Sequence, residues 1–122
     1  KNISALIDKA VTLQRIGKNS QALTLFNRAL KIDPDNIDVL IGKGSTLHAQ
    51  KKFSDAITCY NTILSINPKF PVALAYKGLS LAEQGKINDA LKYFKKALLI
   101  DKNYDLAQVS KKKAIELLKS KK

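Results

Sequence analysis

The sequence has no methionine and no tryptophan, and it holds one cysteine, one histidine, three prolines and five glycines in 122 residues. The lone cysteine, Cys59, excludes an internal disulfide and fits a reducing compartment, so a cytoplasmic location is expected. The lone histidine, His48, comes without a cysteine cluster, too little for a zinc centre or a Ser-His-Asp triad. So few glycines and prolines leave little material for loops. The apolar runs are only a few residues long, so no segment is expected to cross a membrane. The first ten residues, KNISALIDKA, are already amphipathic and do not read as a signal peptide. A start at Lys1 without any methionine is expected of a piece cut from a longer chain.

Acids are scarce too. Ten Asp and Glu face 22 Lys and Arg, a formal charge of +12. The excess grows along the chain. Residues 105–122 carry six lysines against Asp105 and Glu116, and residues 71–104 carry six against Glu83, Asp89 and Asp101.

What the sequence does have is hydrophobic residues, 45% of the total, which excludes a disordered tail, and a composition led by Ala, Leu, Ile and Lys that suits helices. These residues repeat. Ala22, Ala56 and Ala90 are 34 residues apart, as are Phe26, Tyr60 and Phe94, Leu13, Leu47 and Leu81, and Ile32, Ile66 and Ile100. Pro34 and Pro68 keep the step, and Lys102 takes the third place. The period defines units 3–36, 37–70 and 71–104, with residues 105–122 left over.

Each unit reads as two helices. Leu6, Ala10 and Leu13 share one face, as do Ala22, Phe26, Ala29 and Leu30. Gly17 and Gly85 suit a left-handed residue after the first helix, and Lys51 takes that place in the second unit. Ser20, Ser54 and Asn88 are expected to cap the second helices, with Asp55 and Asp89 in the first turn. Asp33-Pro34 and Asn67-Pro68 are expected to end them. Ala10, Gly44 and Gly78 are expected where the paired helices cross, opposite Ala22, Ala56 and Ala90, with the aromatic in the wider gap nearby.

This pattern resembles the tetratricopeptide repeat family over almost the whole chain. The third unit presents Leu74, Lys77, Gly78, Leu81, Ala90, Phe94, Ala97 and Lys102 in the family's register. The second presents Leu40, Lys43, Gly44, Leu47, Ala56, Tyr60, Ile63 and Pro68, and the first Leu6, Lys9, Ala10, Leu13, Ala22, Phe26, Ala29 and Pro34. Departures are Lys9, Lys43 and Lys77 at the usual leucine, Ile63 at a small residue and Lys102 at the proline. The resemblance implies an all-α, right-handed solenoid of three helix pairs, because one pair cannot bury its own apolar face and stacked copies share a core. Residues 105–122 then read as a capping helix with a stripe of Ala107, Ser110, Ala114 and Leu118, or equally as half of a fourth unit.

No catalytic constellation emerges, and neither enzyme activity nor a cofactor nor a metal is expected. The stretch IGKGST, residues 41–46, echoes a phosphate loop but lacks its first glycine and preceding strand, and its register is helical. In the family's fold the first helices line a concave face. The resemblance places Ile7, Val11 and Arg15 there from the first unit, Ile41, Gly42, Ser45 and His48 from the second, and Ala75, Tyr76 and Leu79 from the third. So apolar a surface suits an apolar peptide or helix. The family's carboxylate clamp for chaperone tails needs Lys, Asn and Arg where this chain has Ile7, Val11, Gly42, Val72 and Tyr76, and the asparagine ladder of other members is replaced at Asp8, Gly42 and Tyr76. The expected function is therefore a protein-interaction scaffold or adaptor that does not take such tails. Two alternatives stand beside it. Lys92, Lys95, Lys96, Lys111, Lys112 and Lys113 could form a basic end for nucleic acid or another anionic surface. The chain could also be an engineered repeat without a ligand. Self-association through the groove is a further expectation.

Overall fold

A computed structural model describes residues 2–120, and Lys121 and Lys122 of the anticipated capping helix lie outside the described residues. The chain runs α1 (Ile3–Arg15), α2 (Asn19–Ile32), α3 (Ile37–Ala49), α4 (Phe53–Ile66), α5 (Pro71–Glu83), α6 (Ile87–Ile100) and α7 (Asp105–Ser120). Each helix packs on the next. In addition α1 touches α3, α3 touches α5 and α5 touches α7, whereas among the described residues α2, α4 and α6 do not meet one another. First helices that converge while second helices diverge bend the stack. The result is a helical solenoid with α1, α3, α5 and α7 on its inner wall.

Local chemistry sets the joints. Within each pair the first helix closes on a Schellman turn. Lys18 N–H donates to Leu13 O, Lys52 N–H to Leu47 O and Lys86 N–H to Leu81 O, each at 2.9 Å. The residue before each is left-handed: Gly17 and Gly85 at φ 82° and Lys51 at φ 63°. Lys51 bears a strain that glycine avoids, partly offset by glycine's larger entropy loss. Lys51→Gly is expected to raise stability by about 0.5–1 kcal/mol, read from urea unfolding with an unchanged slope.

This tight turn corrects one sequence expectation. The second helices start at Asn19, Phe53 and Ile87, so Ser20, Ser54 and Asn88 sit inside the first turn and not at the cap, which falls on Lys18, Lys52 and Lys86. The freed hydroxyls reach the next unit instead. Ser54 Oγ accepts from Gln84 Nε2 at 3.0 Å, and Ser20 Oγ meets Gln50 Nε2 at 3.5 Å. Between pairs, α2 and α4 end just before Asp33-Pro34 and Asn67-Pro68. The third unit makes its turn without proline, because the Asp101 carboxylate accepts from Asn103 N–H at 3.2 Å as Asn67 Oδ1 does from Lys69 N–H. Asn2 and Asn36 cap α1 and α3.

The core is continuous in composition from end to end. Ala10, Ala22, Phe26 and Ala29 begin it, Ala56, Tyr60 and Ile63 fill the middle, and Ala90, Phe94 and Ala97 the third pair. Ala107 and Ala114 of α7 close it against the third pair. At Gly44 and Gly78, anticipated in the helix crossings, the side chain nearest is the aromatic. A Cβ at Gly44 would lie 2.5 Å from the Tyr60 ring and one at Gly78 2.5 Å from the Phe94 ring. Gly42, anticipated on the concave face, is buried under Phe26 of the preceding unit at the same 2.5 Å.

Candidate functional site

At the centre of the inner wall lies a mainly apolar hollow of about 290 Å³. It is bounded by Ser45 and His48 of α3, Tyr60 of α4, Tyr76 and Leu79 of α5 and Leu106 of α7. The Tyr60 ring lies back on Gly44 and crosses Tyr76 edge to face, with centroids 5.8 Å apart and planes at 68°. Burial, with Cys59 and Tyr76 adding in the same direction, pushes the Tyr60 phenol well above its usual range, so it stays neutral at any working pH. The hollow continues over Leu79 into a second depression of about 200 Å³ between α5 and α7, bordered by Glu83, Ser110, Lys113 and Leu117.

Hydrogen bonds across units hold this wall. His48 Nδ1 pairs with the buried Ser80 hydroxyl at 2.8 Å, tying α3 to α5, and its ring meets Phe53 edge-on at 5.0 Å. Gln14 Nε2 donates to Ser45 Oγ at 2.6 Å, and Ser45 Oγ donates to Gly42 O at 3.1 Å, tying α1 to α3. Ser45 is thus spoken for by the fold, while among the described residues His48 Nε2 has no hydrogen-bond partner.

Of the anticipated groove residues, Ser45, His48, Tyr76 and Leu79 border the hollow. Ile7 and Val11 are half-buried on the first core cluster, Ile41 is half-buried on the middle one, and Arg15 is exposed on α1. Ala75 is corrected: it is fully buried with Leu74, Ala97 and Ala107, because α7 packs over its side of α5. Tyr60 and Leu106 were missed. Tyr60 reads in sequence as a core aromatic, and only its lean onto Gly44 turns its edge inward. Leu106 carries no signal until the path of α7 is known.

The anticipated basic residues all lie on the last two helices, α6 and α7, in different surroundings. Lys96 folds back over the Tyr93 ring beside Lys77. Lys111 and Lys112 border a separate hollow with Leu98 and Lys102, Lys113 faces the groove near Glu83, and Lys92 and Lys95 are exposed on α6. Lys77, as hydrogen-bond donor and charge, draws the Tyr93 phenol below its usual range against the opposing effect of burial, and Lys96 and Lys92 add to it.

Cys59 is a buried free thiol, and burial raises its pKa more than Lys43 lowers it, which leaves it protonated and a poor nucleophile. Among the described residues no group of three His, Cys, Asp or Glu side chains is placed to hold a metal. Among the described residues no helix is long and apolar enough to cross a membrane.

A tetratricopeptide repeat family model matches residues 16–78, and a second matches residues 71–104. No curated protein matches the sequence. Among solved structures, the first TPR domain of human RPAP3 superposes with a TM-score of 0.91 at 23% identity, covering 98% of this chain and 94% of that one. The first TPR of Spaghetti (RPAP3), bound to the HSP90 peptide SRMEEVD, gives a TM-score of 0.88 at 22% identity, covering 95% and 92%. YrrB, a TPR protein with an unusual peptide-binding site, gives 0.86 at 20% identity, covering 92% of this chain and 58% of that one. At these identities the likeness is one of fold.

Proposed function

The chain belongs to the tetratricopeptide repeat family, and from that premise we propose that it is a non-catalytic interaction module, an adaptor or scaffold, that seats a bulky apolar side chain of a peptide or helix in its concave wall. Its unit boundaries are read as 3–36, 37–70 and 71–104, closed by the helix that starts at Asp105. The observation that carries the reading is the hollow between Ser45, His48, Tyr60, Tyr76, Leu79 and Leu106. Its size suits an aromatic or leucine side chain, its walls are mainly apolar, and the polar groups on its lining residues are those of Ser45, His48, Tyr60 and Tyr76. The Nδ1 bond to Ser80 and the edge contact with Phe53 hold the His48 ring, so little entropy is lost on binding. A cytoplasmic setting suits the buried free thiol of Cys59.

The fold-level neighbour that holds SRMEEVD does not transfer its ligand to this chain. Where the family's clamp would grip a terminal carboxylate, this sequence has Ile7, Val11, Gly42, Val72 and Tyr76. Gly42 is moreover buried under Phe26. None of these side chains carries a positive charge.

A displayed library of random peptides tests the reading. Selected peptides are expected to share one aromatic or leucine anchor. Leu79→Glu, at a half-buried position on the wall, is expected to weaken them at least about tenfold, equivalent to about 1.4 kcal/mol, while circular dichroism stays native. The SRMEEVD peptide is expected not to enter the hollow, read as unmoved amide NMR shifts at Ser45 and His48. If no selected peptide carries an apolar anchor and weakens with Leu79→Glu, the groove is removed from the function.

A further inference from the structure

The groove leaves one surface unused: a cleft of about 670 Å³ on the other side of the third pair, between α4, α5 and α6. Leu64 and Leu74 lie in its lining, Lys69, Lys77 and Lys96 ring it, and it shares no residue with the concave hollow. Lys77 Nζ stands 4.3 Å and Lys96 Nζ 4.9 Å from the centroid of Tyr93. Both ammonium groups thus lie within cation–π range of one ring. Among the described residues no carboxylate lines the cleft. At its rim Leu99 is 87% and Ile100 42% exposed. The arrangement recurs two units earlier, where a cleft of about 630 Å³ is bordered by Lys9, Arg28 and Lys31 with Leu6, Leu25 and Ile32, again with no carboxylate. Lys9 matches Lys77, Arg28 matches Lys96 and Ile32 matches Ile100 in the repeat register. The lysines that depart from the family's leucine therefore mark a surface and not a defect.

We propose that the cleft over Tyr93 is a docking site for an acidic segment of a partner protein, whose carboxylates meet Lys77 and Lys96 and whose aliphatic side chain covers Leu99 and Ile100. Charge complementarity carries the choice of occupant. A second copy of this chain, itself at +12, is repelled. Nucleic acid would need an aromatic face for its bases, and the one ring here is already loaded with two ammonium groups. A bilayer offers a broad surface, whereas this is a recess with an apolar lining, suited to a side chain that protrudes. The draw of Lys77 on the Tyr93 phenol shows that its charge is felt within the cleft. This docking does not depend on the concave groove.

The test uses a fluorescein-labelled peptide of the pattern Glu-Glu-Leu-Leu, repeated, its Gln-for-Glu counterpart, phosphatidylserine vesicles and single-stranded oligo-dT. The acidic peptide is expected to bind, to weaken at least about tenfold in the Lys77→Glu, Lys96→Glu double variant, and to be unaffected by Leu79→Glu. The Gln counterpart is expected to bind at least about tenfold more weakly. In the unmutated protein, amide NMR shifts are expected to move at Tyr93, Lys96 and Ile100 and to stay still at Ser45 and His48, so the site is read without relying on a variant. The proposal is overturned if the shifts gather at Ser45 and His48, if Leu79→Glu abolishes binding and the lysine variant does not, or if the peptide fails to bind. It is likewise overturned if vesicles or oligo-dT bind through Lys77 and Lys96 more tightly than the peptide.

Discussion

Gly78→Val is expected to lower the thermal unfolding midpoint by about 10 °C, a loss of about 3 kcal/mol. A Cβ at Gly78 would stand 2.5 Å from Phe94 Cε1, 2.8 Å from Cδ1 and 3.1 Å from Cζ. Phe94 is 1% exposed, so its ring is held within the core. The valine thus forces α5 and α6 apart and loses helix-compatible rotamers as well. The matching site in the first unit, Ala10, already carries a Cβ and is fully buried. Ala10→Gly is therefore expected to cost only about 1 kcal/mol, the helix propensity of glycine. A double-mutant cycle separates crowding from propensity. Gly78→Ala is expected to be destabilising in the native background and close to neutral or stabilising with Phe94→Leu, since the shorter side chain vacates the contact. If Gly78→Ala stabilises the native chain, the aromatic is not what requires glycine at this register.

Removal of α7, by ending the chain at Tyr104, is expected to cost several kcal/mol. Ala107 packs on Leu74, Ala75 and Ala97, and Ala114 on Leu81, Ile87 and Phe94. Exposing on the order of 200 Å² of apolar surface costs about 5 kcal/mol at ~25 cal/mol per Å². In a stack of units each stabilised by its neighbours, that loss falls on the third pair first. Urea unfolding of the shortened chain is expected to show a lower midpoint or a separate early transition, and size exclusion to show self-association through the uncovered face. It also deletes Leu106 from the hollow, so groove binding weakens with it. A shortened chain that unfolds at the native midpoint would mean that α7 contributes nothing to the stack.

Much of the fold was legible because its causes are local or periodic. The step of 34 residues placed the helices, Gly17 and Gly85 marked left-handed turns, and Asp33-Pro34 and Asn67-Pro68 marked helix ends. The helix caps were misplaced for a reason that spacing cannot show. A Schellman turn lets the next helix begin at once, so Ser20 and Ser54 enter its first turn and bond to Gln50 and Gln84 of the following unit. The Gln14–Ser45 and His48–Ser80 bonds also join different units.

The site divides along the same line. The family resemblance placed Ser45, His48, Tyr76 and Leu79 on the inner wall, and these four border the hollow. Ala75 was misplaced one step around the same helix, where α7 covers it. Tyr60 and Leu106 enter the hollow only through how the second and terminal helices lean on the first ones. By itself the sequence determined the helices, their pairing and the solenoid family, since periodic burial of apolar residues needs only chain-local information. The tertiary structure alone decided where a hollow opens, which lysines converge on Tyr93 and which glycines an aromatic ring forbids to change, because each depends on side chains of different helices meeting in space.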